Sequence, residues 1–227
     1  MAPWILFWDI DGTLLSTARA GVRALEAAAR EAYGVDVDLD ALPTGGLTDG
    51  EIAAAIAADA GLEASDESVA RFLDAYGRAL PAALHTRQGT VLPSVREILE
   101  DLAGDERVVS LLLTGNTRPG AAAKLAHYGL DDLLGDGAFC PDARPRAEIA
   151  RQALALARER VGDLDLDRAF VIGDTPHDIA CADAIGVRTL AVATGTYDAA
   201  ALERAGGWRV LEQLPPPQEF RRIVGIA

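Results

Sequence analysis

Two carboxylates, Asp9 and Asp11, follow a short apolar run at residues 5–8 and precede a Gly-Thr turn. An apolar run of this length is typical of a buried strand in a parallel sheet. If the strand geometry continues, both side chains point to the same side, and like charges that close are costly unless a metal ion, a hydrogen-bond network or a proton offsets them. The pattern favours a reactive site at the carboxyl edge of a sheet over an ordinary acidic turn at a helix start.

Thr114, Gly115 and Asn116 follow a second apolar segment, residues 108–113. A hydroxyl group and glycine-rich backbone amides at a strand end suit the oxygens of a phosphate group. Taken alone, the same three residues are also explained as a simple turn.

Two further carboxylates, Asp174 and Asp178, follow the apolar segment 169–172 and flank a predicted helix start. Mg²⁺ prefers oxygen ligands and often takes one or two carboxylates together with phosphate and water. We expect Asp174 to share a metal ion with Asp9, and Asp178 either to bind the ion or to support another ligand. A helix cap is the alternative interpretation.

Arg144 and Arg146 precede a long predicted helix. A fixed positive charge beside the carboxylates would keep a nucleophilic aspartate ionised and would neutralise phosphoryl charge. We expect one of the two arginines in the site, although either of them taken alone is also explained as a solvated surface charge.

The composition limits the possible partners. The 227 residues carry a net charge of −14, which argues against nucleic acid and anionic membranes as partners. No segment reaches the ~20 apolar residues of a membrane span, and the first residues lack the basic region of a signal peptide. Two cysteines are too few for a disulfide framework, and Lys124 is the only lysine. We expect a cytoplasmic monomer or homodimer.

The remaining patterns predict an α/β fold, a doubly wound, Rossmann-like parallel sheet with an inserted helical subdomain. Residues 16–86 show helix signals and no convincing strand, whereas strands and helices alternate from about residue 91. Capping-box patterns at Thr48 and Ser94 predict two of the helix starts. The predicted core is 1–16 with 88–227, and the predicted helical cap is 17–87.

Together the four groups resemble the motifs of the haloacid dehalogenase superfamily of hydrolases, in the subgroup similar to phosphoglycolate phosphatase. The match rests on residues 9–13, Thr114, the Arg144/Arg146 position and Asp174 with Asp178, in the family's order. The third motif departs from the usual Lys-Pro. Arg144-Pro145 fits that register if arginine replaces lysine, and Arg146 fits a variant register.

The resemblance implies a phosphatase that hydrolyses a small phosphorylated metabolite. Asp9 would attack phosphorus to form an aspartyl-phosphate, and Asp11 would act as general acid and then as general base. Mg²⁺ would be held by Asp9, the Asp11 backbone carbonyl, Asp174 and Asp178. The implied phosphate-binding residues are Thr114, Gly115 and Asn116, with Arg144 or Arg146 offsetting charge.

Three alternatives remain open. A phosphomutase of the beta-phosphoglucomutase type shares these motifs and differs in its product. A signalling receiver domain also combines acidic residues, a threonine and a basic residue, but it carries its phosphoacceptor on a middle strand. A binding protein without catalysis is the last alternative. Within the superfamily, Asp11 favours phosphoryl transfer over dehalogenation, which needs no acid there.

Overall fold

The computed structural model describes residues 2–39, 45–142 and 145–226. The strands are β1 (Trp4–Trp8), β2 (Leu15–Ser16), β3 (Thr90–Val91), β4 (Val108–Leu113), β5 (Gly137–Ala138), β6 (Ala169–Gly173), β7 (Arg188–Val192) and β8 (Arg209–Leu211). The helices are α1 (Ala20–Tyr33), α2 (Asp49–Asp59), α3 (Asp66–His85), α4 (Val95–Ala103), α5 (Arg118–Tyr128), α6 (Arg146–Val161), α7 (Pro176–Ile185), α8 (Ala199–Arg204) and α9 (Pro217–Val224).

Six of the strands form one parallel sheet in the order β5-β4-β1-β6-β7-β8. The chain adds β4 and β5 on one side of β1 and then returns to add β6, β7 and β8 on the other side. Such a reversal opens a crevice at the carboxyl end of the strand where it occurs, which here is β1. The predicted doubly wound α/β fold is confirmed.

Strand β1 is apolar throughout because both of its faces are covered. Leu6 and Trp8 pack on one face in a cluster that includes residues of α4, α5 and α9. Ile5 and Phe7 pack on the opposite face with residues of α6 and α7. All four side chains are fully buried. A strand in this position shows no polar alternation, which is why its sequence reads as a continuous run.

Helices α1, α2 and α3, hereafter the helical segment, build a separate hydrophobic cluster that includes Leu39, Phe72 and Tyr76. The chain enters and leaves this segment through the antiparallel pair β2–β3, where Leu15 lies opposite Val91. Between these two strands the described residues contain no other strand. The predicted cap, 17–87, falls inside this frame, and its division from the core stays a prediction.

The helix boundaries test the local sequence signals. Thr48 forms the predicted capping box with Glu51 at the start of α2. Helix α4 begins directly after Ser94 as predicted, but the predicted capping box is wrong, because Ser94 has a φ of 62° and its side chain caps nothing, whereas a capping serine needs an extended backbone. Helix α3 continues past Pro81. The proline lies on an exposed face of the helix, and Leu84 is buried beyond it. In the described part of the chain, no helix combines the length and apolarity that crossing a membrane requires.

Candidate active site

Three carboxylates meet at the carboxyl ends of β1 and β6. Asp9 follows β1, Asp174 follows β6, and Asp178 lies in the first turn of α7. Each offers an oxygen within 4.8 Å of the others, and all three side chains are buried. Pairing of β1 with β6 brings them together, since the Asp9 amide donates to the Ile172 carbonyl at 3.0 Å. We call Asp9, Asp174 and Asp178 the acidic triad.

Arg146 supplies the positive charge beside the acidic triad. It begins α6, and its Nη2 donates to Asp9 Oδ1 at 2.7 Å and to Asp178 Oδ1 at 2.5 Å. Its Nη1 donates to the Gly46 carbonyl at 3.1 Å, while its buried Nε has no partner among the described residues. Arg144, the other candidate, lies outside the described residues. The structure thus brings Arg146 to Asp9.

The charges of the triad are not balanced. Burial raises the pKa of Asp9 to about 7; Arg146 acts against that rise, and the nearby Asp178 and Asp11 carboxylates add to it. Burial also raises the pKa of Asp174, with Asp178 and Asp9 again adding to the effect. Three buried carboxylates facing one guanidinium are costly in a medium of low polarity. A hard divalent cation with oxygen ligands would relieve this excess.

Backbone packing holds Asp174 in place. Gly12 adopts a φ of +82°, which favours glycine, and a Cβ at Gly12 or at Gly195 would overlap the Asp174 carboxylate. Thr13 Oγ1 donates to Asp174 Oδ1 at 3.1 Å. The two glycines and Thr13 form a tight cradle around this carboxylate, and such a cradle suits a metal ligand.

Asp178 is used differently from Asp174. Its Oδ1 accepts from Arg146, and its Oδ2 accepts from the Thr175 amide at 3.0 Å and the Thr175 hydroxyl at 2.7 Å. The predicted helix cap and the predicted support of the site therefore coexist in one side chain. With both oxygens engaged within the protein, Asp178 is better suited to orient Arg146 than to act as a free ligand.

A second charged cluster lies across the cavity. Lys124 Nζ donates to Asp11 Oδ2 and to Asn116 Oδ1, both at 2.5 Å, and the Tyr76 hydroxyl lies nearby. Asn116 Nδ2 donates to Asp11 Oδ2 and to Thr114 Oγ1, both at 2.8 Å. We call Asp11, Asn116, Lys124 and Tyr76 the Lys124 cluster.

Lys124 keeps its charge although it is buried. Burial alone would lower its pKa, but the negative charge of Asp11 is the first of several interactions that outweigh burial and raise the pKa. Asp49 of α2 lies close by, and its Oδ2 accepts from the Thr117 amide at 2.8 Å. Burial raises the pKa of Asp49 to about 6, while Lys124 acts to lower it.

Both clusters face one cavity of about 230 Å³ between the sheet edge and the helical segment. Its charged and polar lining includes Asp9, Asp11, Asn116, Lys124, Arg146 and Asp174, together with Gly115. The helical segment contributes Val22, Leu25, Ile52, Asp49 and Tyr76. Thr114 and Asp178 lie behind this lining and are completely buried.

The sequence patterns missed Lys124, Tyr76 and Asp49. Lys124 stands eight residues beyond Asn116, and this spacing matches no motif. Its one distinctive signal is that it is the only lysine among the 21 lysine and arginine residues of the chain. Tyr76 and Asp49 come from helices whose position over the sheet is a matter of tertiary packing.

The fold is shared with known proteins. A crystal structure of a hydrolase from Pseudomonas syringae is 23% identical, with each chain covered to 99% and a TM-score of 0.74. CbbY from Rhodobacter sphaeroides, solved with phosphate, is 20% identical over 93% of this chain and 94% of that one, with a TM-score of 0.73. A predicted phosphoglycolate phosphatase from Haemophilus somnus is 17% identical over 99% and 97%, with a TM-score of 0.68.

At these identities, the structural matches establish the fold alone. No curated protein matches the sequence. The family model described as haloacid dehalogenase-like hydrolase matches residues 6–183, which include the acidic triad, Arg146 and the Lys124 cluster. The chain therefore belongs to the haloacid dehalogenase-like hydrolase family and is an enzyme of the hydrolase class.

Proposed function

We propose that the protein is a Mg²⁺-dependent phosphatase that hydrolyses a small phosphate monoester through an aspartyl-phosphate on Asp9. One observation carries the proposal: two carboxylates that differ in their exposure to solvent face one cavity. Asp9 is buried among carboxylates beside Arg146, whereas the side chain of Asp11 is 41% exposed. The family and its phosphatase relatives support a hydrolase that acts on phosphate esters.

In the first step, Asp9 attacks phosphorus and the bond between phosphorus and the ester oxygen breaks. Asp11, protonated at this stage, gives its proton to the leaving oxygen. In the second step, a water molecule attacks phosphorus, the bond to Asp9 breaks, and Asp11 takes a proton from that water. Inorganic phosphate leaves, and both carboxyl groups return to their starting states.

The remaining groups hold the phosphoryl oxygens and their charge. Thr114 Oγ1, completely buried behind the cavity lining, accepts hydrogen bonds from the Asn116 amide at 3.3 Å and from its side chain at 2.8 Å and so orients Asn116. Gly115 and Asn116 line the cavity beside it. The Arg146 guanidinium, fixed by Asp9 and Asp178, offsets the negative charge of the transferring group.

Mg²⁺ fits the acidic triad. Asp9, Asp174 and the Asp11 backbone carbonyl would hold the ion, and Asp178 would assist by fixing Arg146. Bound there, Mg²⁺ would offset carboxylate charge and polarise the phosphoryl group. The excess of buried carboxylate over guanidinium and the glycine cradle around Asp174 support this assignment.

The cavity limits the substrate. Its volume and the aliphatic side chains of Val22, Leu25 and Ile52 suit a small leaving group. The helical segment would act as the cap that closes over it and excludes water. Phosphoglycolate is the first compound to test, in line with the sequence resemblance. The net charge of −14 argues against nucleic acid and anionic membranes as targets.

Phosphate release from a panel of phosphorylated metabolites, with Mg²⁺ or with a chelator, tests the proposal. We expect Mg²⁺-dependent release of inorganic phosphate and its loss in Asp9→Asn, with the circular dichroism spectrum unchanged. Turnover that persists in Asp9→Asn would remove the mechanism. A rearranged sugar phosphate in place of inorganic phosphate would identify a phosphomutase, and stable phosphorylation without turnover would identify a receiver domain.

A further inference from the structure

Asp11 has two oxygens in different surroundings. Oδ2 accepts hydrogen bonds from Lys124 at 2.5 Å and from Asn116 at 2.8 Å. Oδ1 has no hydrogen-bond partner within the described residues, and the side chain lines the cavity. A carboxyl group held in this way carries its transferable proton on Oδ1, because Oδ2 already accepts from two donors.

Lys124 is well placed to hold Oδ2. The Lys124 side chain is 4% exposed, whereas that of Asp11 is 41% exposed. Lys124 lies on α5, a helix of the core. Two donors of the ammonium group are engaged, by Asp11 Oδ2 and Asn116 Oδ1, and the Tyr76 hydroxyl lies nearby. The cation is thus held by one uncharged partner, Asn116, and directed at one carboxylate, Asp11. An orientation that breaks either of these two contacts would leave a further buried donor unpaired, which is costly.

Tyr76 connects this arrangement to the helical segment. It lies on α3, is 1% exposed, and packs in the hydrophobic cluster of α1 and α3. Gly21 on α1 lies next to both groups, since a Cβ there would stand 3.8 Å from Lys124 Nζ and 3.8 Å from the Tyr76 hydroxyl. The helical segment therefore covers the ammonium group on the side of Gly21 and Tyr76.

We propose that Lys124 is the positioning residue for Asp11: it holds Oδ2 and presents Oδ1 to the leaving oxygen and then to the hydrolytic water. This inference rests on the proposed function for the role of Asp11. The contact of Lys124 with Asp11 itself does not depend on that function. Lys124 acts through Asp11 and not on the phosphoryl group.

The kinetic test separates the two steps of the reaction. p-Nitrophenolate leaves as a stable anion without a proton, whereas an alkyl alkoxide needs one. We expect Lys124→Met to lower kcat for an alkyl phosphate about 10²-fold, in the range of a lost general acid or base. With p-nitrophenyl phosphate it should give a burst of about one p-nitrophenolate per protein, because formation of the aspartyl-phosphate persists while its hydrolysis slows.

A double-mutant cycle shows through which residue Lys124 acts. In an Asp11→Asn background, Lys124→Met should change kcat less than about 2-fold, since its effect depends on the Asp11 carboxylate. Arg118→Met, an exposed basic residue on the same helix, is the matched control and should leave kcat unchanged. Additive losses would show that Lys124 contacts substrate independently and would overturn the proposal.

A second measurement needs no activity. Because Lys124 is the only lysine, ¹⁵N-lysine labelling gives one side-chain resonance that needs no assignment. We expect ammonium protons protected from solvent exchange, and a shift of the resonance in Asp11→Asn. If the wild type hydrolyses no phosphate ester, the proposed function fails, yet this spectrum still tests the contact. An ammonium that exchanges like free lysine and ignores Asp11→Asn would contradict the inference, whether or not Lys124→Met folds.

Discussion

The two buried cations of the cavity, Arg146 and Lys124, meet acidic surroundings of different kinds. Arg146 bridges two carboxylates of a triad that still carries excess negative charge. Lys124 contacts one carboxylate and donates a second hydrogen bond to the uncharged Asn116, with the Tyr76 hydroxyl nearby. The first arrangement calls for a further cation, whereas the second fixes one side chain. The comparison teaches that the neighbours of each cation set its role in the cavity. Arg146 compensates charge, whereas Lys124 fixes the residue that transfers protons.

The residue types match these uses. A guanidinium is planar and can bond two carboxylates at once, while an ammonium is a compact charge whose donors suit separate oxygens such as those of Asp11 and Asn116. Exchanging the two would break both clusters, since a lysine at 146 could not span Asp9, Asp178 and the Gly46 carbonyl from one rigid group.

The largest effect should come from removing the cation of the triad. Arg146→Met leaves three buried carboxylates without their guanidinium, so we expect kcat to fall at least about 10³-fold, as for a lost charge stabiliser, and unfolding free energy to fall by about 3–5 kcal/mol. Arg146→Lys should lose less of its kcat and less of its unfolding free energy. Urea denaturation and phosphate release measure these changes. Arg146→Met with near-normal activity would contradict the assigned role of this arginine.

A smaller effect should follow from disturbing the cradle of the metal ligand. A Cβ in Gly195→Ala would overlap the Asp174 carboxylate, so we expect affinity for Mg²⁺ to fall about 10–100-fold. The matched control is Gly77→Ala in α3, where a Cβ meets nothing within 4 Å and should raise helix stability by about 0.5–1 kcal/mol.

Isothermal titration with Mg²⁺ measures both variants. The same Mg²⁺ affinity in Gly195→Ala as in the control would show that the cradle does not position a metal ligand.

The smallest effect concerns Asp49 beside Lys124. Its pKa is raised to about 6 from an ordinary value of 3.8, so its contribution to stability is complete below about pH 4 and is lost as the pH rises through about 6. Asp49→Asn does not titrate. We therefore expect the unfolding free energy of the wild type, relative to this variant, to fall by about 2 kcal/mol between about pH 4 and pH 7.

Urea denaturation at the two pH values tests this expectation, with the exposed Asp74→Asn of α3 as control. A gap that stays constant, or that grows in favour of the wild type as the pH rises, would contradict the burial argument for Asp49.

Much of the fold could be predicted because its signals are local. Strand β4 has the predicted bounds, and helix α6 forms where a long helix is predicted, since a continuous apolar run and a helical stretch after Pro145 define them along the chain. Strands β5 and β8 were not predicted, because two and three residues are too short to show a period. Their pairing depends on the neighbouring strands β4 and β7.

The site divides in the same way. Asp9, Asp174 and Asp178 follow strand ends, where the order of strands brings them together, so their approach could be predicted. The choice between Arg144 and Arg146 could not be made from the sequence, because it depends on which residue begins α6 facing the triad. Lys124 projects from the middle of α5 toward Asp11, a contact that only the packing of that helix creates.

The central claim is that Asp9 takes the phosphoryl group. The most direct measurement is the mass of the peptide containing Asp9 after Asp11→Asn protein is mixed with p-nitrophenyl phosphate and Mg²⁺ and then quenched in acid. The account predicts one phosphoryl group on Asp9, removable by hydroxylamine, because the variant forms the aspartyl-phosphate but hydrolyses it slowly. Release of phosphate by the wild type, with no phosphoryl group on Asp9 in the variant or with the group on another residue, would contradict the account.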